Sequence, residues 1–224
     1  MRESPIYDIT PFTMLDYPDS LAAIAWFAGC NMRCGYCYNP HIVLGEGRIA
    51  TEKLLEFLRK RKDKLEAVVL SGGECTNFAA IGELCAEIKK IGYKVKIDTN
   101  GSRPERLSAL IAAKAIDYVA LDFKAPREKF REIAGADFYD QTLQSLRLLI
   151  ASEIPFEART TIHSALLTPA DISRIAEVLC SEGYKNNYCL QNFVAAKKTL
   201  GNLGKPAEKF NLAAVSSPIK VVLR

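Results

Sequence analysis

LAAIAWFAGCNMRCGYCYNP, residues 21–40, opens as an apolar run and ends as a cysteine loop. Residues 21–29 have the composition of a buried strand, and that strand runs straight into Cys30, Cys34 and Cys37, spaced C-x3-C-x2-C. In parallel α/β folds the ligand-binding groups gather at the carboxyl ends of the strands. A strand that ends in three thiols is the first sign of such a fold.

Outward from it, strand-like and helix-like segments alternate. TEKLLEFLRKRKDK (51–64) has helical spacing at Leu54, Leu55 and Leu58, with Thr51 as the expected N-cap. AVVLSGGE (67–74) is a strand broken by two glycines, and 77–92 is a helix closed by Gly92. KVKIDTNG (94–101) and IDYVALDFK (116–124) are strands around a helix over 103–114 that carries Pro104 in its first turn. Helical sequence follows over roughly 126–151, then a strand over 156–163. A helix over 168–183 is capped by Thr168 with Pro169 first, and strands follow at 188–193 and, short, at 219–224.

About six βα units result. They predict an α/β fold with a mostly parallel sheet, helices packed outside it and right-handed crossovers. Six units are too few for an eight-fold barrel, so a partial (βα)6 TIM-like barrel is expected. One domain is expected over 1–224, with residues 1–20 as a lead-in and 196–224 as a polar Gly/Lys loop and a final strand.

The polar residues fall on the rim that this fold creates. Ser71-Gly72-Gly73-Glu74, Asp98-Thr99-Asn100, and Asp122 with Lys124 end successive strands; Arg159, His163 and Gln191 lie along later ones. Gly72 and Gly73 allow close backbone approach. Glu74 can accept charge-assisted hydrogen bonds. Two strand-end carboxylates, Asp98 and Asp122, would repel unless a cation lies between them. Arg159, inside a strand, needs an anion.

The chain has 224 residues, enough for a sizeable core, and its 49% apolar and 25% charged residues are those of an ordinary globular protein. A net charge of +4 makes no positive case for nucleic acid, and RKRKDK (59–64) reads as a solvated helix end. No apolar run approaches the ~20 residues of a membrane span. MRESPIYDITPF has no signal core, which predicts a cytoplasmic protein. Seven cysteines without a signal peptide read as metal-binding or catalytic rather than as a disulfide framework. Cys85, Cys180 and Cys189 read as core.

Three readings of the cluster stay open on spacing alone. Cys30, Cys34, Cys37 and His41 form a Cys3His zinc set. An electron-transfer cluster would need a fourth cysteine, with Cys75 as the candidate. A 4Fe–4S cluster held by three thiolates would keep one iron open for a ligand.

C-x3-C-x2-C with Tyr36 before the last cysteine resembles the radical S-adenosylmethionine (SAM) superfamily. SGGE (71–74) is similar to that family's GGE element, and DTNG (98–101) and LDFK (121–124) to segments of glycyl radical enzyme activating enzymes. TPFTMLDYP, ARTTIH and LQNF resemble the anaerobic ribonucleoside-triphosphate reductase activating proteins. Two positions depart from the pattern: Cys75 stands where proline usually follows GGE, and Tyr38-Asn39-Pro40 where relatives often have His-Asn-Pro.

The resemblance implies that Cys30, Cys34 and Cys37 hold a 4Fe–4S cluster whose open iron is chelated by SAM. Reductive cleavage of SAM would yield a 5′-deoxyadenosyl radical that abstracts a glycine α-hydrogen from a partner. The partner implied is a glycyl radical enzyme, anaerobic ribonucleotide reductase, with flavodoxin or ferredoxin as electron donor. Glu74 would take the SAM ammonium, Tyr36 the adenine, and Thr99 and Asn100 further contacts. Lys124 would meet the SAM carboxylate, Arg159 that carboxylate or the substrate backbone, and Asp98 and Asp122 a monovalent cation. Other radical SAM chemistry on a peptide or small molecule, and a zinc-binding α/β module, are the alternatives.

Overall fold

The computed structural model describes residues 4–195 and 198–224. Eight strands form one open sheet in chain order, β1 to β8. The chain divides into two compact units. The first takes the residues up to Asn31, then Asn39–Thr99 and Glu105–Ala120; the second takes Met32–Tyr38, Asn100–Pro104 and Leu121–Arg224.

In the first unit, β1 (Ile6–Thr13) runs antiparallel to β2 (Ala22–Phe27). β1 lies within the expected lead-in, for which the sequence reading named no strand. Its sequence, IYDITPFT, alternates poorly and contains Pro11, and only Ile6 is buried. An edge strand tolerates a proline because its outward N–H needs no partner. The register breaks between Thr10 and Thr13, around that proline. α1 (Pro40–Val43) is a single turn. α2 (Thr51–Lys60) buries Leu54 and Leu58. Its N-cap is Ala50 rather than Thr51, with no side-chain cap, because the helix begins one residue earlier than the threonine signal suggests.

β3 (Ala67–Gly72) pairs in parallel with β2 and with β4 (Lys94–Thr99). Between them α3 (Ile81–Ile91) buries Ile81, Leu84, Cys85 and Ile88, the i, i+3, i+4, i+7 stripe of a helix lying on a sheet. Gly92 closes it at φ 110°, a left-handed C-cap that costs a side chain but not glycine. α4 (Pro104–Ala112) leads into β5 (Tyr118–Asp122). Tyr17, Ala22, Ile24, Ala67 and Val69 pack together, with Trp26 and Tyr118 against them.

In the second unit, the expected helical region is two helices, α5 (Arg127–Ala134) and α6 (Tyr139–Ile150). Gly135 at φ 66° ends the first. β6 (Phe156–Ile162) pairs in parallel with β7 (Tyr188–Asn192), and β7 with β8 (Val221–Leu223). α7 (Pro169–Ser181) crosses between β6 and β7 and buries Ile172, Ile175, Ala176 and Leu179. Ile172, Ile175 and Leu179 each contribute about 1.5–3 kcal/mol of burial. Thr168 and Asp171 form a reciprocal capping box, worth about 1 kcal/mol. The polar loop expected over 196–209 begins outside the described residues, at Ala196 and Lys197.

Candidate active site

The cysteine loop leaves β2 through Gly29, at φ 78°. In the first unit its start is fixed by backbone: Gly29 N–H donates to Ile42 O (2.9 Å), and Gly29 O accepts from Glu74 N–H (2.9 Å). In the second unit Arg33 N–H donates to Ala134 O at the end of α5 (2.7 Å), and Cys37 N–H to Cys34 O (3.0 Å). Cys34 is buried, while Cys30 and Cys37 are partly exposed. Burial pushes the Cys34 thiol up, and the Lys124 charge opposes that shift.

The SGGE segment ends β3 in the first unit. Gly73 N–H donates to Phe27 O (2.8 Å). A Cβ at Gly72 would lie 2.5 Å from Phe27 N, and one at Gly73 would lie 1.8 Å from Gly29 O. Both glycines are therefore required by the chain's own backbone, which crosses here without room for a side chain. Glu74 is buried. Its Oε1 accepts from Thr76 N–H (3.1 Å), Thr76 Oγ1 (2.6 Å) and Thr99 Oγ1 (2.8 Å). Cys75, at the start of the turn Cys75–Asn77, is fully buried and donates its thiol to Asp98 O (3.5 Å). Burial, then the Glu74 charge, push that thiol well above its ordinary range, so it is neither a thiolate nor an accessible redox group.

Each of the two aspartates has cations of its own. In the first unit Asp98 accepts from Ser71 Oγ (3.1 Å) and lies 3.0 Å from Lys96 Nζ. In the second, Asp122 accepts from Arg159 Nε (2.9 Å) and Lys124 Nζ (3.0 Å). Burial alone would raise Asp122, but Arg159 and Lys124 outweigh it and hold the carboxyl down to about 2. The charge argument for a monovalent cation at Asp98 and Asp122 is thus met by Lys96, Lys124 and Arg159, and the cation has no support. Arg159 and Lys124 both pair with Asp122. Lys96 was missed by sequence reasoning. Its signal was a lysine two residues before Asp98 on one strand, since i and i+2 share a face.

Asn100 and Tyr36 belong to the second unit and are buried. Asn100 O accepts from Thr142 Oγ1 (3.0 Å) and its Oδ1 from Ser102 N–H (3.0 Å). Tyr36 lies with its ring 5.8 Å from Lys124 Nζ. Its hydroxyl is buried without a hydrogen-bond partner of good geometry among the described residues. His163 is buried too, and Ala165 N–H donates to its Nδ1 (3.1 Å). Its Nε2 therefore carries the proton and donates to Gly204 O (3.1 Å).

Among the described residues no three of His, Cys, Asp and Glu converge as a metal-ion site requires. His41 packs edge-on against Tyr7, 5.4 Å between ring centroids. A single zinc holds all its ligands within about 2.0–2.3 Å. A cubane instead binds each thiolate at a separate iron and spreads them apart.

The model of the radical SAM superfamily matches residues 24–179, and the chain belongs to that superfamily. It is 34% identical over 181 residues to a "Putative glycyl-radical enzyme activating enzyme" of Methanocaldococcus jannaschii, over 76% of this chain and 73% of the relative. A 7-carboxy-7-deazaguanine synthase of Methanopyrus kandleri is 31% identical over 46% of this chain and 49% of its own. Streptococcus suis SuiB bound to S-adenosylmethionine superposes with a TM-score of 0.67 at 16% identity, over 90% of this chain and 51% of that one. The chain thus spans about half of that structure's length, and at this identity the likeness carries the fold alone. The architecture is a partial (βα)6 TIM-like barrel with a mostly parallel, open sheet.

Membership implies a 4Fe–4S cluster and SAM. The residues present fit both. Three thiols share one short loop, and a Cβ at Gly29 or Gly35 beside them would meet nothing within 4 Å. The buried Tyr36 hydroxyl offers a polar atom next to Cys34 in the same loop.

Proposed function

We propose that the protein activates a glycyl radical enzyme, with anaerobic ribonucleotide reductase as the partner. The observation that carries this reading is the three-thiol loop in a chain whose relative over three-quarters of its length bears an activating-enzyme name. Cys30, Cys34 and Cys37 hold the cluster, and Cys34 must lose its proton on ligation. Held by Cys30, Cys34 and Cys37, the cluster would supply reductive cleavage of SAM and with it the radical chemistry needed for hydrogen abstraction from a partner glycine.

The chain's own residues bind and orient. Glu74, its Oε1 fixed by Thr76 and Thr99, receives the SAM ammonium through a charge-assisted hydrogen bond. Gly72 and Gly73 bring the backbone close at that point. Tyr36 borders the adenine, and Thr99 and Asn100 hold the strand end in place. Lys124 and Arg159 keep a positive edge toward the SAM carboxylate while neutralising Asp122. An external one-electron donor, flavodoxin or ferredoxin, acts with it in the cytoplasm. Exclusion of water and oxygen protects the radical.

The test is anaerobic reconstitution with iron and sulfide, reduction, and incubation with SAM and the reductase. A glycine-centred EPR doublet on the reductase supports the proposal, and Cys34→Ala abolishes both the doublet and SAM cleavage. Cleavage without a partner radical would move the assignment to radical SAM chemistry on another peptide or small molecule. Stoichiometric zinc without sulfide would overturn it.

A further inference from the structure

We infer that Thr199–Gly204 is a clasp that holds the cysteine loop in its ligating shape, with Gly201 and His163 as positioning residues. The inference rests on the assignment of Cys34 and Cys37 as ligands, and it concerns the second unit only. Leu200 N–H donates to Cys37 O (2.9 Å) and Gly201 N–H to Gly35 O (2.8 Å). Two consecutive amides from the far end of the chain thus close on the two carbonyls that flank Tyr36 and Cys37. A loop folded only by its metal would have no such rungs.

The approach is too close for a side chain on the clasp. A Cβ at Gly201 would lie 2.8 Å from Gly35 Cα and 2.9 Å from Gly35 O, both backbone atoms that cannot rotate away. Gly204 provides the contrast, since a Cβ there would meet nothing within 4 Å.

The clasp is itself anchored. Buried Thr199 builds its turn: its Oγ1 accepts from Leu203 N–H (2.8 Å) and its O from Asn202 N–H (3.1 Å). Asn202 takes the left-handed conformation at φ 51°, which asparagine tolerates better than most residues. At the far end Gly204 O accepts from His163 Nε2 at the end of β6. The His163 ring packs edge-on against Phe193 (4.6 Å between centroids), and Phe193 against Tyr38 (5.4 Å), the residue after Cys37. Tyr38 Oη accepts from Val194 N–H. The histidine therefore acts on the loop by two routes, through Gly204 and through Phe193, without reaching a ligand itself. These contacts give His163, which the sequence places only along a strand, a positioning role.

The clasp gives the Cys34–Cys37 segment backbone support that does not depend on a bound metal. Backbone bonds from a distant segment hold the loop open before the metal arrives. Preorganised ligands of this kind typically change metal affinity 10–100-fold when their supports are removed.

The test uses the full chain in metal-free and reconstituted forms, comparing Gly201→Ala, Gly204→Ala and His163→Leu with the parent. In metal-free protein, amide exchange at Leu200 and Gly201 is slow in the parent and in Gly204→Ala, and rises about 10-fold in Gly201→Ala. After reconstitution, Gly201→Ala and His163→Leu lose iron to a chelator about 10-fold faster. The EPR signal that each remaining reduced cluster shows on adding SAM is altered, whereas Gly204→Ala keeps the parental signal. Far-UV circular dichroism confirms the fold, and His163→Leu carries the test if Gly201→Ala fails to fold. Equal exchange, iron retention and EPR signal across parent and variants would overturn the clasp. If the parent takes up no four-iron cluster, the proposed function falls, while exchange in the metal-free protein still decides whether the clasp exists.

Discussion

Two carboxylates, one in each unit, are held in opposite ways. Glu74 sits where β3 ends, and three neutral donors from Thr76 and Thr99 converge on its Oε1. Asp122 sits at the end of β5 between two cations, Arg159 and Lys124. Neutral donors orient a carboxylate but carry no charge to set against its own. Two cations cancel it and turn the group into a structural hub. The two sequence segments, SGGE and LDFK, present both only as acidic residues on a rim.

The largest expected effect belongs to the framework. Asp122→Asn removes the carboxylate that Lys124 and Arg159 share, and should cost about 3–5 kcal/mol in chemical denaturation. A loss below about 1 kcal/mol would place Asp122 with Glu74 and break the contrast.

Glu74→Gln should behave in the opposite sense. The amide oxygen still accepts from Thr76 and Thr99, so stability should change by less than about 1 kcal/mol. SAM binding should weaken about 10–100-fold, the worth of a charge-assisted hydrogen bond, as calorimetry on the reconstituted protein would show. Weakened folding with unchanged SAM affinity would reverse the two roles.

Acid sharpens the comparison further. The Asp122 carboxyl is held down to about 2 against an ordinary 3.8. A depressed carboxyl contributes stability that is fully present above its unfolded value and is lost as pH falls through the folded one. The stability difference between the parent and Asp122→Asn should therefore hold down to about pH 4 and shrink by about 2 kcal/mol toward pH 2. A difference independent of pH over that window would mean that the pairing is not electrostatic.

The smallest effect is expected beside Glu74. Cys75 opens a short turn, and Glu74 before it is extended at φ −136°, ψ 103°. A first-turn position after an extended residue suits proline. Cys75→Pro should leave SAM cleavage within about twofold, at the cost of the weak thiol bond to Asp98 O. Loss of cleavage in a folded, iron-loaded variant would show that the thiol contributes to the Glu74 cradle.

Much of the fold was legible because its signals are local. The stripes of α3 and α7, the caps at Gly92 and Thr168 and the apolar run of β2 lie within a few residues of what they specify. β1 was not legible, because a proline-bearing edge strand buries one side chain and follows no clear period. Nor was the break at Gly135 that separates α5 from α6.

From the sequence alone came the βα alternation, the strand-end placement of the polar residues and the three-cysteine loop, all consequences of short-range periodicity and spacing. Only the tertiary structure decided which charges pair, why Gly72 and Gly73 must be glycine, and what holds the cysteine loop. Those answers lie in contacts such as Leu200 with Cys37 and Arg159 with Asp122. Contacts between distant segments depend on how the whole chain packs, and backbone hydrogen bonds in particular carry no side-chain identity to be read in advance.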